Sequence, residues 1–252
     1  VVGVQDTGNR WTHNALKPHY RGWNGSSADH NYNWWDAIHS GGGICTPNHQ
    51  EPCDDHFHGS HTTGTAIGDD GTGNQVGVAP GAKWIGCRNM DQGNGTPATY
   101  TECFQFFIAP TNLQGQNPNP ALRPHVMNNS WGCPPSEGCA ANTLESIVNN
   151  TQAAGIFVEV SAGNAGAQGC GSVNDPPAIY AASYSTGALT TGTTSVASFS
   201  SRGPVTVDGS NRIKPDIVAP GTGTRSATNS GDANYTTASG TSMAGPHVVG
   251  VV

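Results

Sequence analysis

Short apolar runs recur along the chain, and each has Gly, Asn or Ser at or next to its end. This pattern is typical of buried β-strands bounded by turns. The six runs are residues 1–8, 82–87, 125–132, 156–164, 178–188 and 216–221. Helical patterns separate some of them. The alternation predicts an α/β fold of three layers, in which helices cover both faces of a mainly parallel sheet.

Two helices are predicted between these strands. Residues 142–155 place apolar side chains on one face, with Asn142 as the expected N-cap and Gly155 as the expected end. Residues 100–109 form the second. In parallel sheets the functional site lies beyond the carboxyl ends of the strands, so the peptides that follow the strands are of most interest.

Two further segments, residues 24–55 and 110–124, are polar and rich in Pro and Gly, so we expect surface insertions there. No repeat or long linker divides the chain. Residues 1–252 are therefore expected to form one domain.

Composition gives no support to two kinds of partner, nucleic acids and membranes. Only 11% of the residues are charged, the net charge is −7, and no basic run is present, so nucleic-acid binding has no electrostatic support. No apolar run approaches the roughly 20 residues of a membrane-spanning helix.

Seven cysteines are many for a cytosolic protein, and none lies in a CxxC pair. Disulfides in an oxidising, extracellular environment explain them better than a thiolate zinc site. Cys45–Cys53 and Cys133–Cys139 would close short loops, and Cys87–Cys103 a medium one, which would leave Cys170 over. The sequence leaves this pairing open.

The stretch DDHFHGSHTTG holds three histidines, His56, His58 and His61, after two acids. Histidines at this spacing beside carboxylates could bind zinc. One of them could equally be a general base for a nucleophile elsewhere in the chain. This stretch alone allows both interpretations.

The stretch GTSMAGPHV surrounds Ser242 with small residues before an apolar helix, with Pro246 expected in the first turn. A serine at a helix N-terminus lies beside free N–H groups that can stabilise an oxyanion. A buried capping serine is the alternative. Asp6, in DTG, ends the first strand. The same tripeptide occurs in aspartic proteases, but these need two such acids and no second one is present.

Eight motifs in order carry a resemblance over nearly the whole chain. They are VVGVQDTG, HGSHTTGT, GVAPGA, NNSWG, SAGN, FSSRGP, KPDIVAPG and GTSMAGPHV. With Asp6, His58 and Ser242 in that order, the chain resembles the subtilisin-like serine proteases. Within them it is most similar to the bacillopeptidase F-like group. In this family the chain would continue beyond both ends, so the sequence is expected to be truncated.

The resemblance implies a role for each motif residue. Ser242 would be the nucleophile, His58 the general base, and Asp6 the carboxylate that orients His58. Asn164 would stabilise the oxyanion together with the Ser242 N–H. His61 would be structural, which leaves His56 without a role. The expected substrate-binding residues are Ser130, Trp131, Gly132, Ser161, Ala162 and Gly163.

The resemblance implies no catalytic cofactor, and it suggests a structural calcium ion bound by Asp69, Asp70 and Asn74. An ordinary polar turn is the alternative there. The 171–177 loop would reach the floor of the P1 side-chain pocket with Asp175. There a carboxylate would favour basic P1 residues over the apolar ones usual in the family, unless it faces solvent.

The expected function is that of a secreted, monomeric serine endopeptidase acting on proteins and peptides. The alternatives are an inactive binding module of the same fold and a metal-dependent hydrolase that uses the histidine cluster.

Overall fold

The computed structural model describes residues 1–41 and 43–252. Its strands are β1 (Val2–Asp6), β2 (Trp34–Asp36), β3 (Trp84–Arg88), β4 (Met90–Asp91), β5 (Asn94–Gly95), β6 (Val126–Asn129), β7 (Phe157–Ser161), β8 (Tyr184–Leu189), β9 (Ile217–Pro220), β10 (Thr224–Ala227) and β11 (Tyr235–Ala238). Its α-helices are α1 (His58–Ile67), α2 (Pro97–Ile108), α3 (Glu145–Ala153) and α4 (Thr241–Val251).

A seven-stranded sheet forms the middle layer, in the order β2-β3-β1-β6-β7-β8-β9. Every pair in it is parallel. β4 with β5, and β10 with β11, form two small antiparallel hairpins. The predicted parallel sheet is thereby confirmed.

Helices cover both faces of the sheet. α1 and α4 pack together on one face, where Val2, Val4 and Val249 belong to one apolar core. α2 and α3 pack on the other face, over a larger core that includes Phe104 and Met127. The predicted three layers are confirmed. Within the described residues, no helix is both long and apolar enough to cross a membrane.

The prediction that residues 24–55 are a surface insertion is wrong for their central part. They contain β2, the edge strand of the sheet, where the Trp34 side chain is fully buried. Arg88, at the end of β3, is also buried. Its Nε and Nη2 donate to the two oxygens of Asp36, at 2.9 Å each. This bidentate ion pair fixes β2 to the sheet, an interaction that a polar sequence pattern cannot reveal. Gly42 lies outside the described residues.

Three boundaries also differ from the prediction. The strand expected at 178–188 is limited to β8, because residues 178–183 form turns. α3 begins at Glu145 without a side-chain cap, and Asn142 lies in the preceding turn, where its C=O accepts from the Glu145 N–H. Pro246 lies inside α4, five residues after Thr241, and not in the first turn.

The structure resolves the cysteine pairing. Disulfides join Cys45 to Cys53, Cys87 to Cys103 and Cys133 to Cys139. Cys170 is a free, exposed thiol. The second disulfide ties β3 to α2, and the third closes the loop after β6.

A buried acid, Glu159 on β7, lies directly beneath α4. A Cβ on Gly245 would lie 2.4 Å from Glu159 Oε1, so only glycine lets the helix approach this closely. Neither carboxyl oxygen has a hydrogen-bond partner among the described residues. Burial raises the pKa of Glu159 from 4.5 to about 8, so the folded protein holds this carboxyl protonated at neutral pH.

This proton makes stability depend on pH. The unfolded chain releases it near pH 4.5 and the folded chain near pH 8, so stability falls as the pH rises between these values. The slope from this one group approaches roughly 1.4 kcal/mol per pH unit. We expect Glu159→Gln to flatten the decline, because the amide cannot ionise. The free energy of unfolding of both proteins, measured in urea from pH 5 to 9, tests this expectation.

Glu145→Gln is the matched control, since Glu145 is exposed on α3 and its replacement should leave the pH profile unchanged. If the free energy of unfolding depended on pH in the same way in the parent and in Glu159→Gln, the raised pKa of Glu159 would be contradicted.

Candidate active site

The predicted site residues gather at one edge of the sheet. β1, β6 and β7 are adjacent parallel strands, and they end at Asp6, Asn129 and Ser161. Their carboxyl ends therefore bring Asp6, Ser130 and the 161–164 peptide to the same edge.

Asp6 and His58 form the central contact of this edge. The His58 Nδ1–H donates to Asp6 Oδ1 at 2.8 Å and to Oδ2 at 3.0 Å. The Asp6 side chain is 0% exposed and that of His58 is 19% exposed. Burial by itself would lower the pKa of His58, but the Asp6 carboxylate outweighs it and the net pKa is raised. His58 is thus an imidazole whose protonated form is stabilised by a buried anion.

Asp54 holds the helix that carries His58. Its carboxylate accepts from the N–H groups of His56, Phe57 and Ser60 at 2.8–3.0 Å, and from the Ser60 hydroxyl at 2.6 Å. These are free N–H groups at the start of α1, where a negative charge is favourable. Phe57 has φ 94°, an unfavourable left-handed conformation for an aromatic residue. Asp54 therefore offsets the strain at the helix entrance.

Two glycines allow β1 and α1 to meet closely enough. A Cβ on Gly8 would lie 1.7 Å from the Cys53 carbonyl oxygen, and one on Gly59 would lie 2.0 Å from the Gly8 carbonyl oxygen. Thr7 bridges the same contact, because its hydroxyl donates to Asp54 and accepts from the Gly59 N–H. The glycine of DTG is thus needed to place His58 beside Asp6.

Ser242 lies in the first turn of α4, next to the end of β6. Its Oγ donates to the Ser130 C=O at 3.0 Å, and the Ser130 Oγ donates to the Ser242 C=O at 3.0 Å. Pro246 explains the second contact, since it has no N–H to donate to the carbonyl four residues earlier. In the described residues, His58 Nε2 makes no hydrogen bond, so the Ser242 hydroxyl is not engaged with His58 in this conformation.

Asn164 is anchored to the same helix end. Its Oδ1 accepts from the Thr241 N–H at 2.9 Å and from the Thr241 hydroxyl at 3.0 Å. This fixes the carboxamide and leaves its NH₂ group without a partner among the described residues. The Ser242 N–H, at the helix N-terminus, is also unpaired there. Both free donors lie near one point, since a Cβ on Gly240 would be 3.6 Å from Asn164 Nδ2 and 3.7 Å from the Ser242 nitrogen, and an oxyanion requires such paired donors.

Two cavities adjoin these groups and share one wall. The first, of about 260 Å³, is lined by Trp131, Gly132, Pro134, Ser161, Ala162, Gly163, Asn164, Asp175, Ala178, Thr241 and Ser242. The second, of about 210 Å³, is lined by Thr7, His56, His58, Met90, Gly93, Ser130, Trp131, Gly132 and Glu137. All six predicted substrate-binding residues line one cavity or the other.

The three histidines of the opening motif have separate partners. His58 binds Asp6, whereas His61 Nε2 contacts the Thr224 carbonyl at 3.1 Å and packs α1 against β10. Burial lowers the pKa of His61 to about 4, so it stays neutral. His56 lies in the wall of the second cavity. Within residues 1–41 and 43–252, no group of three or more His, Cys, Asp or Glu side chains could hold a metal ion. The geometry thus gives no support to a metal-dependent hydrolase.

The suggested calcium ligands also have other partners. Asp70 accepts from the N–H groups of Thr72 and Asn74 and from the Tyr235 hydroxyl. Asn74 Oδ1 accepts from Arg225, a cation that would repel calcium, and Asp69 Oδ1 accepts from the Gly71 N–H. In this conformation the three side chains belong to a hydrogen-bonded turn, and a calcium ion there stays a prediction.

A family comparison agrees with this geometry. A model of the Subtilase family matches residues 1–252. The chain belongs to the subtilase family. It is 41% identical over 259 residues to Bacillopeptidase F of Bacillus subtilis (strain 168), covering 100% of this chain and 17% of that protein. It is 35% identical over 202 residues to Subtilisin of Bacillus sp. (strain TA39), covering 77% of this chain and 45% of that protein.

Solved structures give the same fold. The chain matches the S41 Psychrophilic Protease with a TM-score of 0.71 and 28% identity, over 99% of this chain and 74% of that one. Sphericase matches with a TM-score of 0.71 and 24% identity, over 99% and 75%. The subtilisin-like fold is confirmed. This subtilase chain spans less than half the length of the two curated relatives named above.

Sequence reasoning missed Asp54 and Thr241, although both lie within or beside a recognised motif. Asp54 accepts from backbone N–H groups at the start of α1, whereas Thr241 donates its own N–H and hydroxyl to Asn164 Oδ1. Motif matching assigns no role to such contacts.

Asp54→Asn tests this support. The amide cannot accept from every N–H group at the start of α1, and the lost charge removes a favourable interaction with that helix end. We expect the free energy of unfolding to fall by about 2 kcal/mol. We also expect kcat for peptide hydrolysis to fall about tenfold while KM changes little, since His58 would be displaced. Chemical denaturation and steady-state kinetics measure the two effects.

Asp208→Asn is the control, because Asp208 is exposed and, among the described residues, pairs only with Arg212 and its own turn. Parent-like stability and kcat in Asp54→Asn would contradict the role given to Asp54.

Proposed function

We propose that this chain is the peptidase domain of a secreted serine endopeptidase, which cleaves peptide bonds through an acyl-enzyme. The observation that carries the proposal is the buried Asp6–His58 pair, with His58 Nδ1 2.8 Å from Asp6 Oδ1, at the sheet edge where Ser242 begins α4. Subtilase membership supports it independently.

In the proposed first step, the Ser242 hydroxyl turns from the Ser130 carbonyl toward His58 Nε2. His58 takes the hydroxyl proton while Oγ attacks the scissile carbonyl carbon. The negative charge that forms on the substrate oxygen is stabilised by the Asn164 NH₂ group and the Ser242 N–H. Removing one such donor typically costs roughly 10² to 10³ in rate.

In the second step, protonated His58 gives its proton to the leaving amine, and the C–N bond breaks. Water then enters and attacks the acyl carbon while His58 takes its proton. The bond between that carbon and Ser242 Oγ breaks, His58 returns the proton to Oγ, and the carboxylic acid product leaves. Asp6 stabilises the imidazolium in both halves of the reaction, and its raising of the His58 pKa expresses the same interaction.

Protein and peptide substrates suit the surface beside Ser242. The Gly132 N–H and C=O have no partner in the described residues, and Gly132 lines both cavities. An extended peptide could pair with this backbone as an added strand. Every proposed catalytic group comes from one chain, which supports action as a monomer. Three disulfides support an extracellular location.

Two substitutions test the mechanism. Ser242→Ala removes the nucleophile and His58→Ala removes the base, so each should lower kcat by about 10⁴-fold or more without unfolding the protein. A fluorophosphonate should label the parent at Ser242, and a chelator should leave kcat unchanged. Peptide hydrolysis, circular dichroism and mass spectrometry provide the measurements.

His125→Ala is the matched control, because His125 is exposed and precedes β6 at the opposite edge of the sheet. Full hydrolysis by folded Ser242→Ala, or loss of hydrolysis only with the chelator, would refute the serine mechanism.

A further inference from the structure

One acidic side chain faces the cavity beside Ser242. Among the described residues that line this 260 Å³ cavity, Asp175 is the only one with an ionisable side chain. The rest of the lining is small, aromatic or uncharged. Asp175 thus decides the electrostatic character of the space that a substrate side chain next to the scissile bond would enter.

The position of Asp175 is fixed by the wall opposite. The next residue, Pro176, accepts from the Cys133 N–H at 2.7 Å, and Cys133 is held by its disulfide to Cys139. A Cβ on Gly132 would lie 3.4 Å from Asp175 Cβ and 4.0 Å from Asp175 Oδ2. The carboxylate therefore lies next to Gly132, which lines the same cavity as Ser242.

Asp175 has no compensating partner in the described part of the chain, because its carboxylate forms neither an ion pair nor a hydrogen bond there. It is half-buried, and burial raises its pKa. A partly desolvated anion with no cation beside it gains when a ligand supplies one.

We propose that Asp175 makes this domain select Lys or Arg at P1. The inference rests on the proposed peptidase function and adds its substrate class. The ammonium or guanidinium group would pair with Asp175 while its alkyl stem lies along Trp131 and Gly132. An apolar P1 side chain would bury the Asp175 carboxylate without giving it a cationic partner, and an acidic P1 side chain would be repelled by the carboxylate.

A matched peptide series tests the proposal. Peptides that differ only at P1, with Lys, Arg, Phe, Leu or Glu, are compared by kcat/KM. The parent should favour Lys and Arg over Phe by about tenfold or more, since one ion pair of this kind contributes on the order of a factor of ten. Asp175→Asn should lower kcat/KM for Lys and Arg by about that factor while the value for Phe stays equal or rises.

Asp29→Asn is the control, because Asp29 is an exposed acid outside the cavity. Fluorophosphonate titration counts folded active sites in each variant, so a folding defect is not mistaken for altered specificity. Benzamidine gives a readout that needs no turnover. As a cation it should protect Ser242 of the parent from labelling, and Asp175→Asn should need about tenfold more of it.

The outcomes separate the two proposals. Fluorophosphonate labelling of Ser242 together with a parent preference for Phe or Leu, unchanged in Asp175→Asn, would overturn the specificity and leave the peptidase function in place. Failure of the parent to react with the fluorophosphonate or to cleave any peptide would overturn both.

Discussion

The site depends on a charged hydrogen bond that has been removed from water. Asp6 is fully buried at the end of β1, and the charge on a buried carboxylate must be satisfied by partners. His58 supplies the main partner, and the Thr7 N–H donates to the same carboxylate at 2.7 Å. Because the pair raises the His58 pKa, it both holds the ring and prepares it to receive a proton.

Much of the surrounding structure serves to keep these two residues together. Gly8 and Gly59 let two backbones approach to a distance that any side chain would prevent. Asp54 accepts from the free N–H groups at the start of α1, where the Phe57 backbone is strained. A strained backbone persists only where the surrounding contacts determine it, and such residues concentrate at functional sites. Asn164 and Ser242 are also held by local contacts. Thr241 fixes the Asn164 carboxamide, and the Ser130 hydroxyl donates to the Ser242 carbonyl in place of the N–H that Pro246 lacks.

The sequence predicted the parts of the fold that depend on short-range pattern. The parallel sheet, its two covered faces and the motif residues at the strand ends all follow from apolar runs and local peptides. It did not predict β2, because the residues that hold this strand, Asp36 and Arg88, are 52 positions apart and appear polar. The supporting roles of Asp54 and Ser130 also depend on contacts made only after folding.

The state of His58 is the most direct test of this account. Histidine labelled with ¹⁵N in the Ser242→Ala protein allows its titration to be followed by NMR, with His58→Gln used to assign the signal. In the Ser242→Ala protein, His58 should have a pKa above 6.5, and the value should fall once Asp6→Asn is added and the buried anion is lost. A His58 pKa at or below 6.5 that does not respond to Asp6→Asn would contradict this account.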